Sequence, residues 1–221
     1  MVVVDKPSGM PSVPARTRLD PPDVAVRLAG TFGSLEAVHR LDRDTSGLLV
    51  LARSQAARAA LGRAFERGDV SKAYLAVVRG IPPRPSGELH LPLAPDPDAP
   101  PRQRPDLIRG RRAATRWMTL AKADGSPDGR AATLLRLEPL TGRSHQLRVH
   151  LAWLGCPILG DRLYDASPDP PFPLALHAAR LDLPHPEEGT RVVLEAAPPS
   201  GPPWRWFGPE LSPLWVAVPR P

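Results

Sequence analysis

Four consecutive apolar residues, Leu48-Leu49-Val50-Leu51, stand directly behind the charge-dense stretch His39-Arg40-Leu41-Asp42-Arg43-Asp44-Thr45-Ser46-Gly47. A short continuous apolar run with a turn signal before it reads as a buried strand. The fold must therefore place a polar, charged loop at the entrance to a buried strand, and loops held by a rigid scaffold are where catalytic groups commonly sit. Two carboxylates, Asp42 and Asp44, alternate with two guanidiniums, Arg40 and Arg43. An aspartate beside an arginine stays ionised at neutral pH, which provides a carboxylate able to act as a nucleophile. The same four residues equally describe a surface ion-pair cluster with no function.

The rest of the chain supplies short strands and few helices. Val2-Val3-Val4 reads as an edge strand that ends in the loop Asp5-Lys6-Pro7-Ser8-Gly9. Asp20 as N-cap and Pro21 at the first position predict a helix ending near Gly30. A strand is expected at about 47–52. Ser54 caps a helix with apolar positions Ala57, Ala60, Leu61, Ala64 and Phe65, and Gly68 stops it. Ser71–Val78 reads as a strand. Residues 82–112 are rich in proline and arginine, with Arg102, Arg104, Arg109, Arg111 and Arg112 close together. They are expected to form a long mobile loop, either a solvated face or a grip on RNA. Strands follow near 113–120 and 131–138 around the turn 124–129. Ser144 is the expected cap of a helix with the stripe Leu147, His150, Leu151 and Leu154. On that stripe His150 reads as a hydrogen-bonded core histidine. His145 and His150, five apart, do not share a helical face, which argues against zinc. Strands near 177–183 and 191–197 complete residues 1–197, and 198–221 form a Pro/Trp-rich tail expected to pack on the domain. Strands outnumber helices without regular alternation, so the expected class is α+β with a mixed, mainly antiparallel sheet.

Composition narrows the partners. The 221 residues suit one sizeable domain. One cysteine, Cys156, excludes an intrachain disulfide and fits a reducing, cytoplasmic setting. No run of 18 apolar residues predicts a membrane span, and no leader pattern is visible. The net charge is +6, and all but three of the 29 basic residues are arginines. Arginine's planar fork suits phosphate, so nucleic acid is the first partner to consider. A compositional bias toward Arg, Ala, Pro and Gly accounts for the same numbers.

Six stretches in order resemble the motifs of the RluA-type pseudouridine synthases, within the RluA/RsuA superfamily: Lys6-Pro7-Ser8-Gly9, His39-Arg40-Leu41-Asp42, Lys72-Ala73-Tyr74, Thr141–His150, Gly155–Tyr164 and Leu176–Leu181. The N-terminal and Thr141–His145 forms are most similar to the RluA branch, without an S4-type domain. The resemblance implies the pseudouridine synthase fold with a central active-site cleft. It implies isomerisation of uridine in a 23S rRNA loop, a tRNA anticodon stem-loop, or both. It makes Asp42 the catalytic aspartate and Tyr74 the tyrosine that stacks on the target ring. Arg143 would pair with the aspartate, and Arg40 would enter the RNA. Arg43, Lys72 and Arg148 join the five arginines of the 82–112 segment as expected RNA contacts, whereas His39, Asp44 and His145 read as orienting or structural groups. The reaction breaks the N-glycosidic bond, turns the base and makes a C–C bond without losing the base, so no cofactor and no metal is expected. RNA is the expected partner, with no membrane, no obligatory protein partner and a monomeric state. Departures are Asp5 where relatives often have Asn, and a chain that begins at the first strand, which leaves an upstream start open. The competing readings are an RNA-binding module without turnover and a hydrolase using Asp42 and Asp44. The latter is disfavoured because two carboxylates on one loop do not face each other across a bond.

Overall fold

The computed structural model describes residues 1–14, 21–123, 131–166 and 172–208. In chain order the elements are β1 (Val2–Lys6), α1 (Val24–Phe32), β2 (Glu36–Ala37), β3 (Ser46–Ala52), α2 (Gln55–Arg67), β4 (Ser71–Arg79), β5 (Ser86–His90), β6 (Leu93–Pro95), β7 (Gln103–Pro105), β8 (Ala114–Ala123), β9 (Ala132–Pro139), α3 (Gln146–Trp153), β10 (Leu176–Pro184) and β11 (Arg191–Glu195), followed by a 3-10 turn at Trp204–Phe207. The class is α+β, and the chain forms two compact units.

The first unit comprises residues 1–72 and 177–196. Its strand β3 pairs antiparallel with β1 and with β2, and parallel with β10 through His177 opposite Ser46 and Ala178 opposite Gly47. Strand β11 pairs antiparallel with β10. Every residue of β3 is buried. Its Leu48, Val50 and Ala52 pack with Ala57, Leu61 and Ala64 of α2 and with Leu181 and Leu183 of β10. Alternation along the strand sends Leu49 and Leu51 to the opposite face, and both are also inaccessible. That is why this strand reads as an unbroken apolar run. Helix α2 has the predicted ends: Ser54 Oγ accepts the Ala57 N–H and Gly68 closes the last turn.

Helix α1 differs from expectation. Its N-cap is Asp23, whose Oδ1 accepts the Val26 N–H at 3.0 Å, and Asp20 lies outside the described residues. Pro22 disfavours helical geometry at Pro21, and the helix starts past both prolines, three residues later than expected. The helix then runs through Gly30 to Phe32.

The second unit comprises residues 73–176 and 197–221. Strands β4, β9, β8 and β5 form an antiparallel sheet in that order. The 82–112 segment is not a mobile loop. It contributes β5 to the edge of this sheet and folds β6 and β7 into a hairpin. Its prolines and arginines mask these strands because edge and hairpin strands tolerate proline and face solvent. Helix α3 is not the amphipathic helix expected. Six consecutive residues, Gln146–Leu151, are buried, and the N-cap position is His145 in a left-handed conformation, not Ser144. In the tail Trp204 is buried and Trp206 meets Phe172 edge-on at 5.8 Å, whereas Trp215 lies outside the described residues. No helix among the described residues is long and apolar enough to cross a membrane.

Candidate active site

In the first unit the loop between β2 and β3 turns at Asp42, whose carbonyl accepts the Thr45 N–H at 3.1 Å. Leu41 and Thr45, on either side of the turn, are buried, while Asp42 is half-buried and Arg40 and Arg43 are exposed. The buried Leu41 and Thr45 anchor the loop and leave its charges nearer the surface.

Its backbone is fastened by the segment after β1. Lys6 is fully buried. Its ammonium donates to three carbonyls: Pro7 at 3.0 Å, Met10 at 2.8 Å and Arg43 at 2.9 Å. Three donors meet three acceptors, so a charge taken from water is hydrogen-bonded in full. Burial pulls the Lys6 pKa down to about 8, against the opposing pull of the Asp44 and Asp42 charges. Ser12 clamps Leu41 twice: its hydroxyl donates to the Leu41 carbonyl at 2.9 Å and accepts the Leu41 N–H at 3.1 Å. Ser8 Oγ donates to the Asp44 carbonyl at 2.7 Å, and the Gly9 N–H donates to the Arg43 carbonyl at 2.9 Å. No role had been expected from sequence for Lys6, Ser8 or Ser12 themselves. The available signal was the rarity of lysine in an arginine-rich chain: an ammonium on a flexible stem can satisfy three converging carbonyls where a planar guanidinium cannot.

The exit from the loop is equally constrained. Gly47 has φ +103, and a Cβ there would lie 2.4 Å from the Ala178 carbonyl oxygen. Only glycine permits the close parallel pairing of β3 and β10. Beside it His177 is buried, with Nδ1 2.9 Å from Ser46 Oγ and Nε2 3.1 Å from the Ala196 carbonyl. Since a carbonyl only accepts, Nε2 carries the proton, and burial holds the ring's pKa below the ordinary histidine value. His39 Nε2 accepts the Val50 N–H at 3.0 Å and its ring stacks on Phe65 at 4.7 Å. Burial, helped by the Lys72 charge, lowers its pKa to about 4. A histidine neutral through the physiological range is a structural group here, in keeping with its expected role.

Asp44 is paired with Arg43 at 3.4 Å, with both side chains well exposed, so this pair contributes little to stability. Lys72 is half-buried, its ammonium 6.0 Å from the Phe65 ring centre, and burial lowers its pKa.

In the second unit Tyr74 is half-buried on β4, opposite Leu137 of β9. Arg143 is half-buried, and its Nε donates to the Arg112 carbonyl at 3.0 Å, which ties it to the arginine-rich segment. The turn that carries Arg143 is organised by the buried Gln146. Its Oε1 accepts the Arg143 N–H at 3.0 Å and the Thr141 hydroxyl at 2.7 Å. Its Nε2 donates to the Ala114 carbonyl at 2.9 Å and to Thr115 Oγ1 at 3.0 Å. His150 completes the cluster, with Nε2 on the Leu91 carbonyl at 3.0 Å and Nδ1 on Thr115 Oγ1 at 2.9 Å. It is the hydrogen-bonded core histidine that the sequence implies.

Arg148 is a correction. It was expected to meet RNA, yet it is buried and holds Asp161 through two bonds of 2.8 and 2.7 Å, with side chains 5% and 0% exposed. A guanidinium 5% exposed and held by a buried carboxylate is out of reach of a phosphate. Asp161 Oδ1 also accepts the Leu163 and Tyr164 N–H groups. The Tyr164 ring lies 5.2 Å from the Arg148 guanidinium and 5.4 Å from that of Arg102. The Tyr164 hydroxyl accepts the Gln103 N–H at 2.7 Å and lies 2.8 Å from His145 Nδ1. Arg102, Arg104, Arg109, Arg111 and Arg112 are all exposed. Arg104 is shared between Asp96 and Asp98 at 3.7 Å each. Among the described residues no group of three or more His, Cys, Asp or Glu side chains could hold a metal ion.

The family model for RNA pseudouridylate synthase matches residues 1–153. The dual-specificity RNA pseudouridine synthase RluA of Haemophilus influenzae is 40% identical over 202 residues, covering 89% of this chain and 88% of its own. The protein of the same name from Yersinia pestis is 41% identical over 193 residues, covering 86% and 91%. Among solved structures, human RNA pseudouridylate synthase domain containing 1 superposes with a TM-score of 0.76 at 29% identity, covering 90% of this chain and 80% of that one. Human RNA pseudouridylate synthase domain containing 4 gives 0.70 at 26% identity, covering 89% and 85%.

Proposed function

This chain belongs to the RNA pseudouridylate synthase family, and from that premise we propose that it isomerises uridines in both ribosomal and transfer RNA, with Asp42 as the reacting carboxylate. The chain is an isomerase acting on RNA. Its dual range is suggested by relatives named for dual specificity, which it matches over most of their length. The single observation that carries the assignment of Asp42 is the way its turn is held. An otherwise ordinary charged loop is fastened by a fully buried lysine and by the double clamp of Ser12 on Leu41. A surface ion-pair cluster needs no such anchoring, whereas a carboxylate that must meet one ribose carbon does.

In the reaction the N1–C1′ bond breaks, the detached uracil turns and C5 bonds to C1′. The hydrogen on C5 leaves as a proton and N1 gains one, so composition is unchanged. The carboxylate of Asp42 either bonds to the sugar transiently or balances the positive charge that develops there. The target base must leave its stack, which costs a few kcal/mol and least in a loop. Stacking on Tyr74 returns roughly 1–3 kcal/mol of that cost. Arg143, carried on the Gln146-organised turn, would keep the carboxylate charged, and Arg40, exposed beside the turn, would occupy the space the base vacates. The enzyme would work as a monomer in the cytoplasm.

Total tRNA and 23S rRNA transcripts incubated with the protein, then digested to nucleosides and separated by chromatography, test the reading. Pseudouridine from both RNAs is expected. Tight binding without pseudouridine would favour a binding module, and free uracil would favour a hydrolase.

A further inference from the structure

Two large apolar side chains, Leu107 and Ile108, stand next to each other at 78% and 94% exposure. They are the most exposed large hydrophobic residues among those described, and the others are isolated in sequence. Single exposed apolar residues are ordinary. An adjacent pair on a stiff support is not, because water solvates it poorly and the support prevents it from folding away.

The support is stiff. The Asp106 N–H donates to the Pro92 carbonyl at 2.9 Å on one side of the loop. On the other side Arg111 and Leu93 exchange N–H to carbonyl bonds of 2.8 and 3.0 Å. Across its base the Gly110 N–H donates to the Asp106 carbonyl at 3.0 Å. Inside, Asp106 Oδ1 accepts the N–H groups of Ile108 and Arg109 at 2.9 and 2.8 Å. These bonds hold the Asp106 carboxyl below its usual pKa. Gly110 closes so tightly that a Cβ would lie 2.1 Å from the Asp106 carbonyl oxygen. The loop thus presents its two apolar residues outward in a fixed geometry.

Charge identifies the occupant. Arg109, Arg111 and Arg112 flank the tip, are exposed, and make no ion pair among the described residues, and the one carboxylate inside the loop is held by backbone donors. An apolar point with a cationic collar fits a polyanion that carries exposed flat apolar faces, which is RNA with unpaired bases. Resting on the reading of this chain as an RNA-modifying enzyme, we propose that Leu107 and Ile108 form an apolar wedge that lies against unstacked bases in a loop of the substrate RNA while the adjacent arginines bind its phosphates. The wedge selects looped over fully paired RNA, since paired bases offer no face to cover.

The test uses the full chain, total tRNA, and a blunt RNA duplex of similar charge. In the Leu107→Ser/Ile108→Ser variant affinity for tRNA is expected to fall about 10- to 50-fold, with affinity for the duplex unchanged. The salt dependence of tRNA binding keeps its slope because no phosphate contact is lost. Since both residues are exposed, the melting temperature should not move. Ile108→Phe, which keeps an apolar face, should bind tRNA at least as well as the parent. The proposal is overturned if the double variant stays within two-fold on tRNA, if it loses duplex and tRNA affinity equally, or if it loses only self-association in sedimentation. A parent chain that discriminates tRNA from duplex through these residues but makes no pseudouridine upholds the wedge and refutes the proposed function. A parent that makes pseudouridine and is indifferent to the double variant does the reverse.

Discussion

Two charged regions of this chain look alike as sequence and are built in opposite ways. The loop at 38–45 and the segment at 102–112 are both short, arginine-bearing and interrupted by turns, the first with two aspartates and the second with one. In the first, a buried ammonium and two serine hydroxyls hold the loop's backbone carbonyls, while the side chains of Arg40, Arg43 and Asp44 are exposed and Asp42 is half-buried. In the second, the backbone holds itself through a short hairpin and one aspartate, and nearly every charged side chain is exposed. The first design fixes one carboxylate in place. The second displays many cations over an area. Chemistry at one atom needs the former, and holding a polyanion needs the latter, so charge density alone could not separate them.

Perturbing the supports should separate the two regions, and the expected effects fall in order. Arg148→Met leaves the Asp161 carboxylate buried without its partner, and removing one member of a buried pair costs about 3–5 kcal/mol. Chemical denaturation should show that loss, and an unchanged midpoint would mean that the pair contributes nothing. Lys6→Met leaves the Pro7 and Met10 carbonyls without a donor and the Arg43 carbonyl with the Gly9 N–H alone, at about 2–3 kcal/mol in all, and turnover should fall further than the lost folded fraction explains. Ser12→Ala leaves the Leu41 N–H and carbonyl unpaired in the interior, at about 1–2 kcal/mol. By contrast, Arg111→Ala in the displayed segment should leave stability within roughly 0.5 kcal/mol. It should weaken binding to all RNAs alike and lower the salt slope by about one.

Lysine 6 also gives the comparison a pH signature. Its folded pKa, about 8, lies below the ordinary 10.5. Between those values the unfolded chain binds the extra proton, so this one group makes the fold more stable as pH rises through that window. The turn proposed to carry the reacting carboxylate responds the other way, since the neutral amine has two protons to share among three carbonyls. Turnover should therefore decline above pH 8 while the melting temperature holds or rises. NMR of the Lys6 Nζ should show a midpoint near 8, and a midpoint near 10 would remove the argument.

Elements set by local chemistry were legible in the sequence. Ser54 and Gly68 bracket α2, and the apolar run after Gly47 is a buried strand. Features that depend on distant partners were not. Arg148 reads as one more surface arginine until Asp161, thirteen residues on, is seen to bury it. The strands between 86 and 105 take their pairing from β8 and from each other, not from their own propensity. Ser144 is a good capping residue by type, yet His145 takes the cap position because the Gln146 side chain fixes the turn through Thr141 and Arg143. Lys6 was visible as part of a motif, but its role as a three-carbonyl anchor follows only from where residues 7, 10 and 43 converge.

Asp42 is proposed as the reacting carboxylate that the first region holds. RNA labelled with tritium at uracil C5 tests this directly, because forming the C5–C1′ bond must expel that label. Under single-turnover conditions the parent chain should release tritium from total tRNA or 23S rRNA transcripts. Asp42→Asn, folded and binding the same RNA, should release at least about 1,000-fold more slowly. Release at a comparable rate from the Asn variant would contradict the central claim and leave the anchored turn without the function argued for it.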